Sequence, residues 1–129
     1  MNIILTKLIQ KIKRNGVKIQ IENRSQVGLH DYGLPKRHVE LIDYINIADN
    51  DKWDGLILGY KNHAYEYGTI LHTNMIVGVT LVEDGNHKLI FKIPYKRSFN
   101  NALYKKELNH YMKKYKMEND LNIKYHSIL

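Results

Sequence analysis

A chain of 129 residues, 43% of them hydrophobic, is long enough to bury one ordinary core, and no break in composition divides it. The absence of cysteine excludes disulfides, zinc-thiolate sites and thiol nucleophiles, so any metal chemistry must use oxygen or histidine. A formal net charge of +7, from 20 Lys and Arg against 13 Asp and Glu, favours phosphates, nucleic acid or acidic lipid as partners, or else reflects a lysine-rich composition.

Residues 3 to 14 place Ile4, Leu8 and Ile12 at four-residue intervals, with Lys7, Lys11 and Arg14 elsewhere on the wheel and Asn15-Gly16 as a stop. This predicts a short basic amphipathic helix, which either packs on its own domain or lies on an anionic membrane surface. Val17 to Glu22 alternates apolar with polar and predicts a half-buried strand. Residues 23 to 37, with Gly28, Gly33 and Pro35, read as an irregular loop, and the sequon Asn23-Arg24-Ser25 carries no meaning in an intracellular protein. Val39 to Ile47 fits neither the helical nor the strand period.

Asp49-Asn50-Asp51-Lys52-Trp53-Asp54 then runs into the apolar Leu56-Ile57-Leu58. Carboxylates at i, i+2 and i+5 before a strand can gather hard divalent cations, or they can simply build a turn. The calcium loop of an EF-hand is excluded, because its sixth position needs Gly and its twelfth a Glu, where this chain has Asp54 and Tyr60.

Gly55 to Tyr60 predicts a strand, and Gly68 to Val82 one long strand or two joined by a bulge. Glu83-Asp84-Gly85-Asn86 is a hairpin turn, followed by a return strand from His87 to Ile93 that Pro94 closes. From Ser98 the period becomes helical. Tyr104, Leu108, Tyr111, Met112 and Tyr115 share one face over about four turns, with Lys105, Lys106, Glu107 and Lys113 outside it. Leu121 to Tyr125 adds a short last strand. Strands that do not alternate with helices point to a mainly β, α+β architecture with a closed or partly closed sheet. No apolar run reaches the length of a membrane span or signal-peptide core, so a cytoplasmic protein without a transmembrane segment is expected.

Taken together, the acidic motif with Gly55 to Gly59, Tyr65 to Ile70, Gly78-Val79 and Lys88 to Pro94 resembles the soluble inorganic pyrophosphatases, and most closely their short members. The resemblance covers residues 17 to 94, loosely includes the late helix, and leaves residues 1 to 16 unmatched. It implies one pyrophosphatase-like domain over residues 1–129: an extra N-terminal helix at 1–16, a small five-stranded barrel of oligonucleotide-binding type at 17–97, and a C-terminal helix and short strand at 98–129. The implied activity is magnesium-dependent hydrolysis of pyrophosphate, and a homo-oligomer is left open.

Carried over by position, Asp49, Asp54 and Asp84 resemble the family's metal aspartates and Asp51 the carboxylate that activates water. Lys18, Arg24, Tyr32, Lys88, Tyr115 and Lys116 resemble its phosphate contacts. Lys18 and Lys88 also fit ordinary solvated strand lysines, and Tyr115 a core-facing helix residue. Pyrophosphate is highly anionic, so metals and cations must offset its charge before an oxygen nucleophile can approach.

The chain departs from the family at Asn86 and Gln20, where acids are usual, and at Asn50 and Lys52, which replace Gly and Pro. Each lost acid removes negative charge from a site meant to collect dications. The alternative is therefore a catalytically impaired binding module that holds nucleic acid or another anionic partner. The seven histidines, His63 among them, show no spacing typical of a zinc helix, and no Gly-x-Ser-x-Gly or phosphate-cradling glycine loop occurs.

Overall fold

Asn2 begins the first element of the computed structural model by accepting a 2.8 Å hydrogen bond from the Leu5 amide. The structure describes residues 1–61, 65–94 and 96–128, so His63 lies outside the described residues. Helix α1 (Ile3–Asn15) ends at Gly16, whose φ of 75° suits a residue without a β-carbon. Its buried side chains are Leu5, Leu8, Ile9 and Ile12. Ile4, read from sequence as part of this face, is 51% exposed. A strict four-residue repeat drifts around a helix of 3.6 residues per turn, so the packed stripe follows i, i+3, i+4 and i+7 instead.

The strands are β1 (Val17–Ile21), β2 (His38–Asn46), β3 (Asp51–Ile57), β4 (Ile70–Thr73), β5 (Ile76–Val82), β6 (Lys88–Phe91) and β7 (Ile123–Ser127). A one-turn 3-10 helix at Arg24–Val27 interrupts the loop between β1 and β2. The longer helix α2 (Asn101–Asn119) starts at Asn100, whose side chain accepts from the Leu103 amide. Its 19 residues make roughly five turns, one more than expected. Among the described residues no helix is long and apolar enough to cross a membrane.

The expected closed five-stranded barrel is not what forms. Among the described residues, seven strands lie in one open sheet in the order β4-β1-β2-β3-β6-β5-β7. All neighbours are antiparallel except β3 and β6, which run parallel. The extra strands have a local cause. Residues 68 to 82 break where Thr73 Oγ1 accepts from the Met75 amide at 3.0 Å, so β4 goes to the free edge of β1 while β5 pairs with β6 and β7. The Asp84-Gly85 hairpin forms as read, with Gly85 at φ 85° joining β5 to β6.

The two sheet faces have separate cores. Ile19, Val39, Leu41, Trp53, Leu89 and Phe91 pack with α1 on one side. Leu56, Leu58, Val82 and Ile90 pack on the other with Tyr104, Leu108, Tyr111 and Tyr115 of α2. Glu107, expected outside this helical face, is instead buried. Its carboxylate accepts from the Gly59 amide at 2.7 Å and from Arg37 Nε at 3.3 Å. The α2 core accompanies β3, β6 and β5, while β1 and β2 contribute polar side chains to the same side of the sheet, and there the candidate site lies.

Candidate functional site

Cross-strand partners in a sheet share a face, so the register defines a row of side chains running across it. Gln20 stands opposite Glu40, Glu40 opposite Asp54, Asp54 beside Lys88, and Lys88 opposite Thr80. A row of two adjacent carboxylates and a lysine between a glutamine and a threonine is unusual for a packed face. Burial has opposite effects along it: Lys88 is only 2% exposed, whereas Glu40 is half-buried and reaches water.

Lys88 is the pivot. Its Nζ donates to Asp54 Oδ2 at 3.0 Å and to Asn86 Oδ1 at 2.9 Å, so its buried charge is both paired and hydrogen-bonded. The reading of Lys88 as a solvated strand lysine is thereby excluded. Beyond Asp54, Glu22 lies just past the end of β1, with Oε2 3.6 Å from Arg24 Nη1, out of solvent and without a hydrogen-bond donor among the described residues. Burial pushes the Glu22 carboxyl up to about 7, with help from the negative charge of Asp54, while Arg24 opposes the rise. Glu40 is also raised, by burial first and then by Asp54, with Asp51 contributing. Glu22 thus feels the charges of Asp54 and Glu40, and Glu40 those of Asp54 and Asp51.

A second wall comes from the loop before β2 and from α2. Tyr32, at φ 54°, packs with ring centroids 5.5 Å from Tyr115 and 5.3 Å from Tyr111, and Arg24 lies 5.8 Å from the Tyr32 ring. Three consecutive carbonyls hold this loop: Arg24 Nε donates to His30 O, while the rings of His38 and His110 bond Asp31 O at 2.8 Å and Tyr32 O at 3.0 Å. Burial, then the Arg24 charge, drives His38 down to about 3. Its Nε2 therefore carries the proton towards Asp31 O, and the buried Nδ1 has no partner among the described residues. The Tyr115 hydroxyl is pushed up to about 12 by burial, then by the charge of Asp84.

The sequence-derived residues divide into two groups. Arg24, Tyr32, Asp51, Asp54, Asp84, Lys88 and Tyr115 are brought within contact or electrostatic reach of this centre. Asp49 is an exposed turn residue whose Oδ1 accepts from the Asp51 amide at 3.1 Å. Asp51 Oδ1 likewise accepts from the Lys52 amide, and Asp84 Oδ1 from the Asn86 amide. The turn chemistry read from the acidic motif is thus realised, and it leaves the other oxygen of each carboxylate outside these bonds. Lys18 is exposed opposite His72, and Lys116 is exposed in the last turn of α2.

Sequence reasoning missed Glu22, Glu40 and His38. The alternation of β1 carries a signal for Glu22, which shares the parity of Lys18 and Gln20. Glu40 had none, because the register of β2 shifts between Glu40 and Ile45 and spoils its period.

Magnesium would find oxygen donors of the right hardness here. Among the described residues no three His, Asp or Glu side chains form a ready metal group. Magnesium commonly keeps several waters and takes one or two carboxylates plus substrate phosphate oxygens; Asp54, one of whose oxygens accepts from Lys88, and the neighbouring Glu40 would be the carboxylates for that mode. Compared with known proteins, the chain matches no family model, no curated protein and no solved structure.

Proposed function

We propose that the chain is a magnesium-dependent phosphoanhydride hydrolase of the cytoplasm that splits inorganic pyrophosphate into two phosphates. The observation that carries this reading is the adjacency of Glu40, Asp54 and Lys88 on neighbouring strands, with Arg24 closing the same centre. Acids able to hold a dication and cations able to hold phosphate are needed side by side, and the adjacency of these carboxylates and cations supports that reading.

Asp54, with Asp84 at the neighbouring hairpin, would hold magnesium, which when bound offsets phosphate charge and makes water a better nucleophile. Lys88 and Arg24 bind phosphate oxygens and orient the anion. The Asp51 carboxylate takes a proton from the attacking water as its oxygen bonds to phosphorus and the bridging P–O bond breaks. Lys88 Nζ stabilises the charge that develops on the leaving phosphate. Tyr32 and Tyr115 close the phosphate side and keep bulk water from it.

The test is phosphate release from pyrophosphate with magnesium, beside Asp51→Asn and Asp54→Asn. Loss of a general base lowers turnover by about a hundredfold or more. No release from the wild type with magnesium or manganese rejects the reading. A second reading, anion or nucleic-acid binding without turnover, draws on Asn86, whose neutral amide bonds Lys88 where an acid would add charge. A salt-dependent nucleic-acid shift without phosphate release would select it.

A further inference from the structure

A recess of about 460 Å³ opens beside the carboxylate end of the row, lined by Gln20, Glu22, Gln26, Val27, Glu40 and Tyr67 among others. Glu22 and Glu40 line this recess and also belong to the centre described above, so the two share a wall. From Gln20 to Lys88 the row crosses three strand spacings, roughly 14 Å. A pyrophosphate held by Lys88 and Arg24 leaves that length unused.

Resting on the proposed hydrolase reading, we infer that the substrate is a nucleoside di- or triphosphate. Its phosphate chain lies towards Lys88 and Arg24, and its sugar and base lie in the recess beside Tyr67. The recess is unsuited to phosphate, because its described lining holds two carboxylates and no lysine or arginine. It suits a neutral group rich in hydroxyl donors. Glu22 Oε2 is buried, with Arg24 Nη1 3.6 Å away but no hydrogen-bond donor among the described residues, and a sugar hydroxyl would supply one. Gln20 spends its amide nitrogen on Gly68 O at 3.1 Å, so its oxygen remains to accept. Tyr67 and Val27, 39% and 64% exposed, offer a ring and an apolar surface to a flat base. Water would attack a phosphorus of the chain, the anhydride P–O bond would break, and the proton would pass to Asp51. The products would be a shortened nucleotide and phosphate or pyrophosphate.

The experiment compares magnesium-dependent turnover of pyrophosphate with that of adenosine and guanosine triphosphates. It is paired with calorimetric binding of a non-hydrolysable adenosine triphosphate analogue, for the wild type, Tyr67→Ala and Val27→Asp. Tyr67 and Val27 are exposed, so circular dichroism should find both variants folded. The expected result is triphosphate turnover whose KM rises at least about tenfold more than that for pyrophosphate in Tyr67→Ala, the loss of one stacking contact. Turnover of pyrophosphate alone, or triphosphate turnover indifferent to both variants, overturns the nucleotide assignment and leaves the hydrolase reading standing. Analogue binding weakened by both variants without any turnover supports the recess as the nucleoside site and removes the hydrolase reading. Neither binding nor turnover overturns both.

Discussion

Lys88 Nζ lies 3.0 Å from Asp54 Oδ2, across the one parallel strand pair of the sheet and in direct register. The ammonium is almost wholly buried, while the Asp54 side chain keeps 20% of its surface exposed. Removing the lysine strands a carboxylate that can still turn partly to water. Lys88→Met should therefore destabilise the fold by about 2 kcal/mol, below the usual range for a fully buried pair. Asp54→Asn should cost more, because the amide oxygen still accepts from Lys88 but leaves the almost wholly buried ammonium without an opposite charge. Urea unfolding of the two variants checks the order, and a Lys88→Met loss larger than that of Asp54→Asn would contradict it.

Acid stability should carry two opposing signatures in metal-free buffer. Glu22, raised from an ordinary 4.5 to about 7, keeps its proton in the folded state, so its contribution grows as pH falls from about 7 to 4.5. His38, lowered from 6.5 to about 3, stays neutral when folded, so its contribution is lost as pH falls from 6.5 towards 3. Between about 4.5 and 6.5 the two offset each other, and wild-type stability should be nearly level there. Glu22→Gln should expose the histidine slope, on the order of 2 kcal/mol across that window after screening by the open recess. Denaturation midpoints at a series of pH values decide this; superimposable profiles for the two proteins would remove Glu22 from the account.

Glu107 fastens α2 to the chain that leaves β3. Its carboxylate accepts from Gly59 N and Arg37 Nε, and Arg37 Nη2 in turn donates to Tyr60 O at 2.8 Å. Glu107→Ala leaves a buried amide and a mostly buried guanidinium without this acceptor, so a loss of about 3 kcal/mol is expected. Glu107→Gln keeps an oxygen for Gly59 N and should lose about half as much. Equal losses from both substitutions, measured by thermal unfolding, would show that charge alone matters.

Gly55 permits the close approach of β3 to β6. A β-carbon there would lie 2.6 Å from Leu89 O and 2.8 Å from the Phe91 ring, and the first of these is backbone that cannot swing aside. Gly55→Ala should cost about 2 kcal/mol and part the strands that carry Asp54 and Lys88. Proposed turnover should then fall together with stability. An alanine variant as stable as the wild type would mean that the sheet relaxes at little cost.

The amino-acid sequence by itself determined those elements whose causes are local. Asn15-Gly16 stops a helix, Asp84-Gly85 turns a hairpin, and the spacing of Tyr104, Leu108, Tyr111 and Tyr115 makes a packed face, because each depends on dihedral preference or period within a few residues. Asp49 and Asp51 likewise acted as turn formers through their own backbone bonds. Only the tertiary structure decided that β4 would leave β5 for the edge of β1, that the sheet would remain open with seven strands, and that Glu40, Asp54 and a buried Lys88 would fall in one row across three strands. Those outcomes depend on strand order and register between segments tens of residues apart. Such pairings are selected by how two cores pack on opposite faces of one sheet, a quantity that no short window of residues contains.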